Sequence, residues 1–102
     1  MKLNKEHLNK IADAIAGKFE RKSLDEPISV ETGDELQQIE CAIELYPIFA
    51  KKYDDFTNIW FEAVTGIDLG ISITHTDKDG TERTLDFDYD ELVELLKYKL
   101  ID

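Results

Sequence analysis

The sequence predicts an α+β domain: N-terminal helices, the second kinked at Pro47, then a three-stranded antiparallel meander and a C-terminal helix packed on one sheet face. Three observations carry that expectation. Apolar residues recur at helical spacing near both ends of the chain. Ile67, Leu69, Ile71 and Ile73 alternate strictly with Asp68, Gly70, Ser72 and Thr74, the period of a half-buried strand. Asp79 and Gly80 lie between alternating runs, where they signal a hairpin turn. A length of 102 residues gives one domain, 1–102.

The opening helix is expected over 4–22. Leu8, Ile11, Ala12, Ile15 and Phe19 form one stripe, Asn4 is placed to cap it, and Glu6 and Lys10 make an i,i+4 pair. Gly17 inside that helix hints at a close backbone approach. Residues 23–33 read as a connector broken by Pro27, with Ile28 and Val30 either a short strand or loop anchors. Thr32 precedes Glu35 by three, the spacing of a capping box, so a second helix is expected. Leu36, Ile39, Ile43 and Tyr46 would be one side of it, and Cys41, Leu45 and Ile48 another. Pro47 would kink it, with a last turn or two to about Tyr53.

Residues 56–64 fit a helical stripe or a strand face. Strand is favoured, because the segment is mostly aromatic or β-branched. A three-residue loop at Val64–Gly66 would then turn it back onto the alternating run from Ile67. Leu85 and Phe87 extend the apolar face of the next strand. Residues 89–101 close the chain as a helix with Leu92, Val93, Leu96 and Leu100 as its stripe and Asp88 near its cap.

Charge is the strongest functional signal. The net charge is −11. Residues 1–22 carry six bases and three acids, 23–50 carry seven acids and no base, and 53–96 carry twelve acids against Lys78 and Arg83. Such a chain is a poor ligand for nucleic acid or anionic lipid, and no apolar stretch approaches the ~20 residues that span a bilayer. A single thiol, Cys41, makes no internal disulfide, so a cytoplasmic location is expected.

Catalytic signals are weak. The five glycines are isolated, so no phosphate-cradling loop is present. His7, His75 and Cys41 lack the spacing of a zinc site or a nucleophilic triad. His75, Asp77, Asp79, Gly80 and Asp86 fall partly in calcium-loop register, but His75 stands at the first position and strands flank the segment. No enzyme activity, cofactor or metal is expected.

The expected function is that of a small acidic binding module, an inhibitor or immunity-type protein that mimics nucleic acid and occupies a basic, nucleic-acid-binding site on a partner protein. The partner would be a nuclease, a defence complex or a nucleic-acid-binding regulator. The expected contact residues are Asp77, Asp79, Glu82, Asp86, Asp88, Asp90 and Glu94. Trp60, with Tyr53 and Phe56 nearby, would be an aromatic anchor if 56–64 is a strand and a core residue if that segment is helical. The alternative is an oligomer-forming structural domain whose acidic surface serves solubility.

Overall fold

Two helices cover one face of a four-stranded antiparallel sheet in a computed structural model that describes residues 2–101. The order along the chain is α1 (Lys5–Lys18), β1 (Pro27–Glu31), β2 (Gln38–Asp54), β3 (Ile59–Thr76), β4 (Glu82–Thr84) and α2 (Tyr89–Leu100). The sheet order follows the chain order, a plain meander. Helix α1 packs on α2 and β1, and α2 also packs on β3.

The opening helix forms over most of its expected span but ends at Lys18 rather than 22; Phe19, the last residue of the expected stripe, is its extended C-cap. Leu8, Ile11, Ala12 and Ile15 are buried, and Asn4 caps the first turn. The reciprocal partner in that cap is His7, whose Nδ1 accepts from the Asn4 backbone N–H at 3.1 Å. Its Nε2 then faces Asp34 Oδ2 at 2.5 Å, which ties the helix start to the β1–β2 loop. Nothing approaches Gly17; it lies one residue from the helix end and needs no packing explanation. Helix α2 carries Leu92, Leu96 and Leu100 into the core, and the Asp88 side chain accepts from Glu91 N.

The expected second helix does not exist. Residues 38–54 are strand β2, so one N-terminal helix replaces two and four strands replace three. Ile39, Cys41, Ile43 and Leu45 are buried, while Gln38, Glu40, Ala42 and Glu44 between them are exposed. That is the period of two, and it places one apolar residue on the core at every second step. The helical stripe used Ile39 and Ile43 as well, because a spacing of four belongs to both periods. Thr32 and Glu35 cap no helix; they lie in the β1–β2 loop, where Gly33 and Gln37 take positive φ. Ile28 and Val30 form the fourth strand, β1.

Pro47 sits within β2 without breaking it. Leu45 exchanges both of its backbone hydrogen bonds with Leu24, at 2.8 and 2.9 Å, on the edge facing away from β3. Two residues on, the Pro47 nitrogen points to that same outer edge, where no ladder bond is lost.

The expected turn at Val64–Gly66 is also absent. Strand β3 runs straight through it, and Thr65 is the extra residue of a bulge opposite Ile48 and Phe49. The expected meander therefore pairs differently: β3 pairs along nearly its whole length with β2, the segment read as helical.

Candidate functional site

Strands β2 and β3 are far longer than the sheet they belong to. β1 reaches β2 only as far as Ala42, with one further bridge at Leu24–Leu45, and β4 reaches β3 only at Thr74–Thr76. From Tyr46 to Gly66 the hairpin therefore projects as a two-stranded arm. Nine residue steps from Leu45 to Asp54 make it about 30 Å long. The molecule measures 59 × 22 × 19 Å. Its radius of gyration is 16.0 Å, against about 13 Å for a rounded domain of this length, and the arm accounts for the excess.

A bare hairpin is marginal in water, so this one needs support along its length. Its ladder continues directly from the sheet. Tyr53 and Trp60 pair across the strands with ring centroids 5.3 Å apart and planes tilted by 52°. Lys51 faces Glu62 across the ladder. The Arg21 guanidinium donates to the Glu62 carbonyl at 3.1 Å, bracing the arm from the segment after α1. Ala63 and Val64 are buried within the arm, on its two opposite faces and outside the main core.

The apex is a four-residue loop, 55–58, held by Asp54. Its carboxylate accepts from Phe56 N at 2.9 Å and from the Thr57 hydroxyl at 3.0 Å, and these bonds hold its pKa below the usual carboxylate value. Asn58 takes the left-handed conformation (φ 58°), and Tyr53 donates from its hydroxyl to Asn58 Oδ1. The loop is fixed, yet it presents Phe56 at 97% exposure. Trp60 is 64% exposed, and Tyr46, Ile48, Phe49, Tyr53, Ile59 and Phe61 are exposed as well.

The acids singled out by sequence lie elsewhere. Asp77, Asp79 and Glu82 sit at the β3–β4 turn and β4, and Asp86, Asp88, Asp90 and Glu94 follow along the approach to α2 and its first turns. Trp60 is separated from that turn by nearly the full length of β3, about 55 Å. It does not share a surface with the acids.

Several of these carboxylates are occupied within the fold. Asp77 pairs with Arg83 Nε at 3.0 Å and with His75 Nδ1 at 3.3 Å. Asp79 accepts from Thr81 N, and that bond is the main reason its pKa is lowered. Asp88 caps α2, and Glu94 lies 3.7 Å from Lys97. Glu82, Asp86 and Asp90 are exposed, and their side chains form no ion pair among the described residues. The lysines of α1 leave this group alone: Lys10 pairs with Glu6 and Lys18 with Glu26. A second acidic surface was hidden by the helical reading of β2. Glu31, Glu40 and Glu44 are exposed on the sheet face opposite the helices, where Ser29 donates to Glu40.

Both histidines are committed to the scaffold. His7 is buried between Asn4 N and Asp34, and His75 Nε2 contacts the Leu36 carbonyl at 2.9 Å while its Nδ1 faces Asp77. Cys41 is buried, and desolvation pushes its thiol up to about 12. Among the described residues, no three His, Cys, Asp or Glu side chains converge to hold a metal. No helix is long and apolar enough to cross a membrane.

No family model matches the chain, and neither a curated protein nor a solved structure shows significant similarity to it.

Sequence reasoning found Tyr53, Phe56 and Trp60 but missed Tyr46, Ile48, Phe49, Ile59 and Phe61. A signal was available. The runs 46–50 and 59–61 are apolar at both odd and even positions. A strand of that kind needs cover on both faces, and a chain this short has only one layer of helices to offer.

Proposed function

We propose that this protein is a non-enzymatic binding module of the inhibitor or immunity type, which captures a basic protein partner and occupies its working surface. The observation that carries this is the arm: a fixed apex that presents Phe56, Trp60 and Ile59 to solvent, on a body that is strongly acidic. Residues 46–66 hold two lysines and three acids, a net −1, so the remainder of the chain carries −10. Monomeric proteins rarely leave large contiguous apolar patches open, and aromatic anchors dominate interface energetics. Charge on the body would steer encounter with a basic partner, and the arm would hold the complex once formed.

The histidine geometry supports a role without catalysis. Each ring nitrogen already has a structural partner, so neither ring is placed to move a substrate proton. A cytoplasmic location accords with the single buried thiol.

The test is retention of a partner from lysate of the native host by immobilised protein. Phe56→Ala with Trp60→Ala should lose the retained protein by at least tenfold, while loss of the Tyr53–Trp60 pair lowers the thermal melt by no more than about 5 °C. Reversal of Glu82, Asp86, Asp90 and Glu94 to Lys should slow association and flatten its salt dependence. Undiminished retention by both variants would refute the proposal.

A further inference from the structure

We infer that the partner receives the arm in a slot that encloses it on both faces, apolar along its walls and basic at its rim. This rests on the reading of the chain as a binding module, and it adds the shape and chemistry of the receiving site.

Cross-strand partners share a face and successive residues alternate. Beyond the bulge, one face therefore holds Phe49, Tyr53 and Trp60 around the Lys51–Glu62 pair. The other holds Ile59 and Phe61, with Ile48 and Tyr46 closer to the body. All seven of these apolar side chains are more than two-fifths exposed. The helices cover only one sheet face, over the body, and leave these side chains open. With ~150–250 Å² for each aromatic ring and Phe56 added at the apex, the exposed apolar area is on the order of 800 Å². That equals one side of a standard protein–protein interface, about 800 Å², and exceeds the few hundred Å² usual on a monomer.

A flat partner surface would cover one face and leave aromatics on the other in water. A slot with walls about 10 Å from the mid-plane, the ordinary packing distance of sheets, covers both. At the base of the arm the chain presents Glu44 and Asp68, which emerge from the acidic body. Both lie on the face that carries Tyr46, so lysines and arginines on that side of the slot's mouth are their complement. A second copy of this chain fits poorly: one arm laid on another leaves a face of each uncovered, and each body carries −10. A bilayer fits poorly as well, since anionic lipid repels the body.

The experiment places photo-reactive benzoylphenylalanine at Phe49 and at Phe61, on opposite faces of the arm, and at Glu44 near its base. Each variant is first checked by its melt, then irradiated in lysate of the native host. Crosslinked peptides are mapped by mass spectrometry. The inference expects the Phe49 and Phe61 probes to join apolar segments of one partner and the Glu44 probe to join a segment bearing Lys or Arg. Crosslinks from one arm face alone overturn the slot and leave the binding module standing. Crosslinks from Glu44 with none from either arm face overturn the slot and also the arm as anchor. Products joined to a second copy or to lipid, or no products at all, overturn both.

Discussion

Truncating two side chains of the same hairpin tests whether the arm is a free appendage on a packed base. Leu45 stands at its root, 0% exposed in the core, while Phe56 stands at its apex, 97% exposed. Removing a fully buried leucine to alanine costs about 3–5 kcal/mol, the lost transfer energy plus the cavity left behind. For a chain of this length, each kcal/mol moves the melting midpoint by about 5 °C. Leu45→Ala should therefore melt roughly 15–25 °C lower, a large part of a net stability of about 5–15 kcal/mol. Phe56→Ala removes a larger side chain yet should change stability by less than about 0.5 kcal/mol, under ~3 °C, because nothing in the fold covers it. Urea unfolding followed by circular dichroism would give both numbers, and the Leu45→Ala slope m should match the parent. Similar destabilisation by the two substitutions would refute the reasoning, since the apex would then be packed. A small effect of Leu45→Ala would refute it from the other side.

Four further outcomes are expected. Hydrogen bonds from His7, Thr32 and the Leu36 backbone hold the Asp34 carboxyl down at about 2, against an ordinary 3.8. Its stabilisation is therefore present above about pH 4 and lost as pH falls through about 2, so the gap in melting midpoint between parent and Asp34→Asn should hold near neutrality and narrow over that window. Cys41 should resist a thiol reagent at pH 8 in the native protein and react at the rate of a free thiol in urea, because burial raises its pKa to about 12. Asp88→Ala should cost about 1 kcal/mol through the lost cap of α2, measured by urea unfolding, whereas Asp90→Ala should change stability by only a few tenths. Pro47→Val should leave the melt within ~3 °C; in the helix expected from sequence it would relieve a break worth about 3 kcal/mol.

The lesson of β2 and β3 is that a local pattern can satisfy two periods at once. Leu36, Ile39, Ile43 and Tyr46 make a tidy helical stripe, and Ile39, Cys41, Ile43 and Leu45 make an equally tidy strand face. Pro47 does not separate the two: it would kink the expected helix, and an outward-facing edge position in a strand tolerates it. With residues 38–54 taken as helix, the two halves of β3 can pair only with each other through a turn at Gly66, where the structure has a bulge at Thr65. Aromatic and β-branched residues signal a strand over 56–64, which the structure bears out from Ile59 while Phe56, Thr57 and Asn58 turn the apex, and Tyr53, Phe56 and Trp60 are legible as candidate anchors. Their shared arm was not legible, because it depends on where β1 and β4 stop.

By itself the sequence determined both helices, the caps at Asn4 and Asp88, the hairpin turn at Asp77–Thr81 and the acidic character of the whole. Those features depend on neighbours three or four positions away, or on composition alone. Tertiary structure decided that residues 38–54 are extended, that they pair with 59–76, and that a stretch rich in aromatic residues stands clear of the body. Strand pairing is a contact between distant segments, and burial depends on how much surface the remaining elements can cover. Two short helices and two short strands cover only the proximal half of this hairpin, and the uncovered half carries the proposed function.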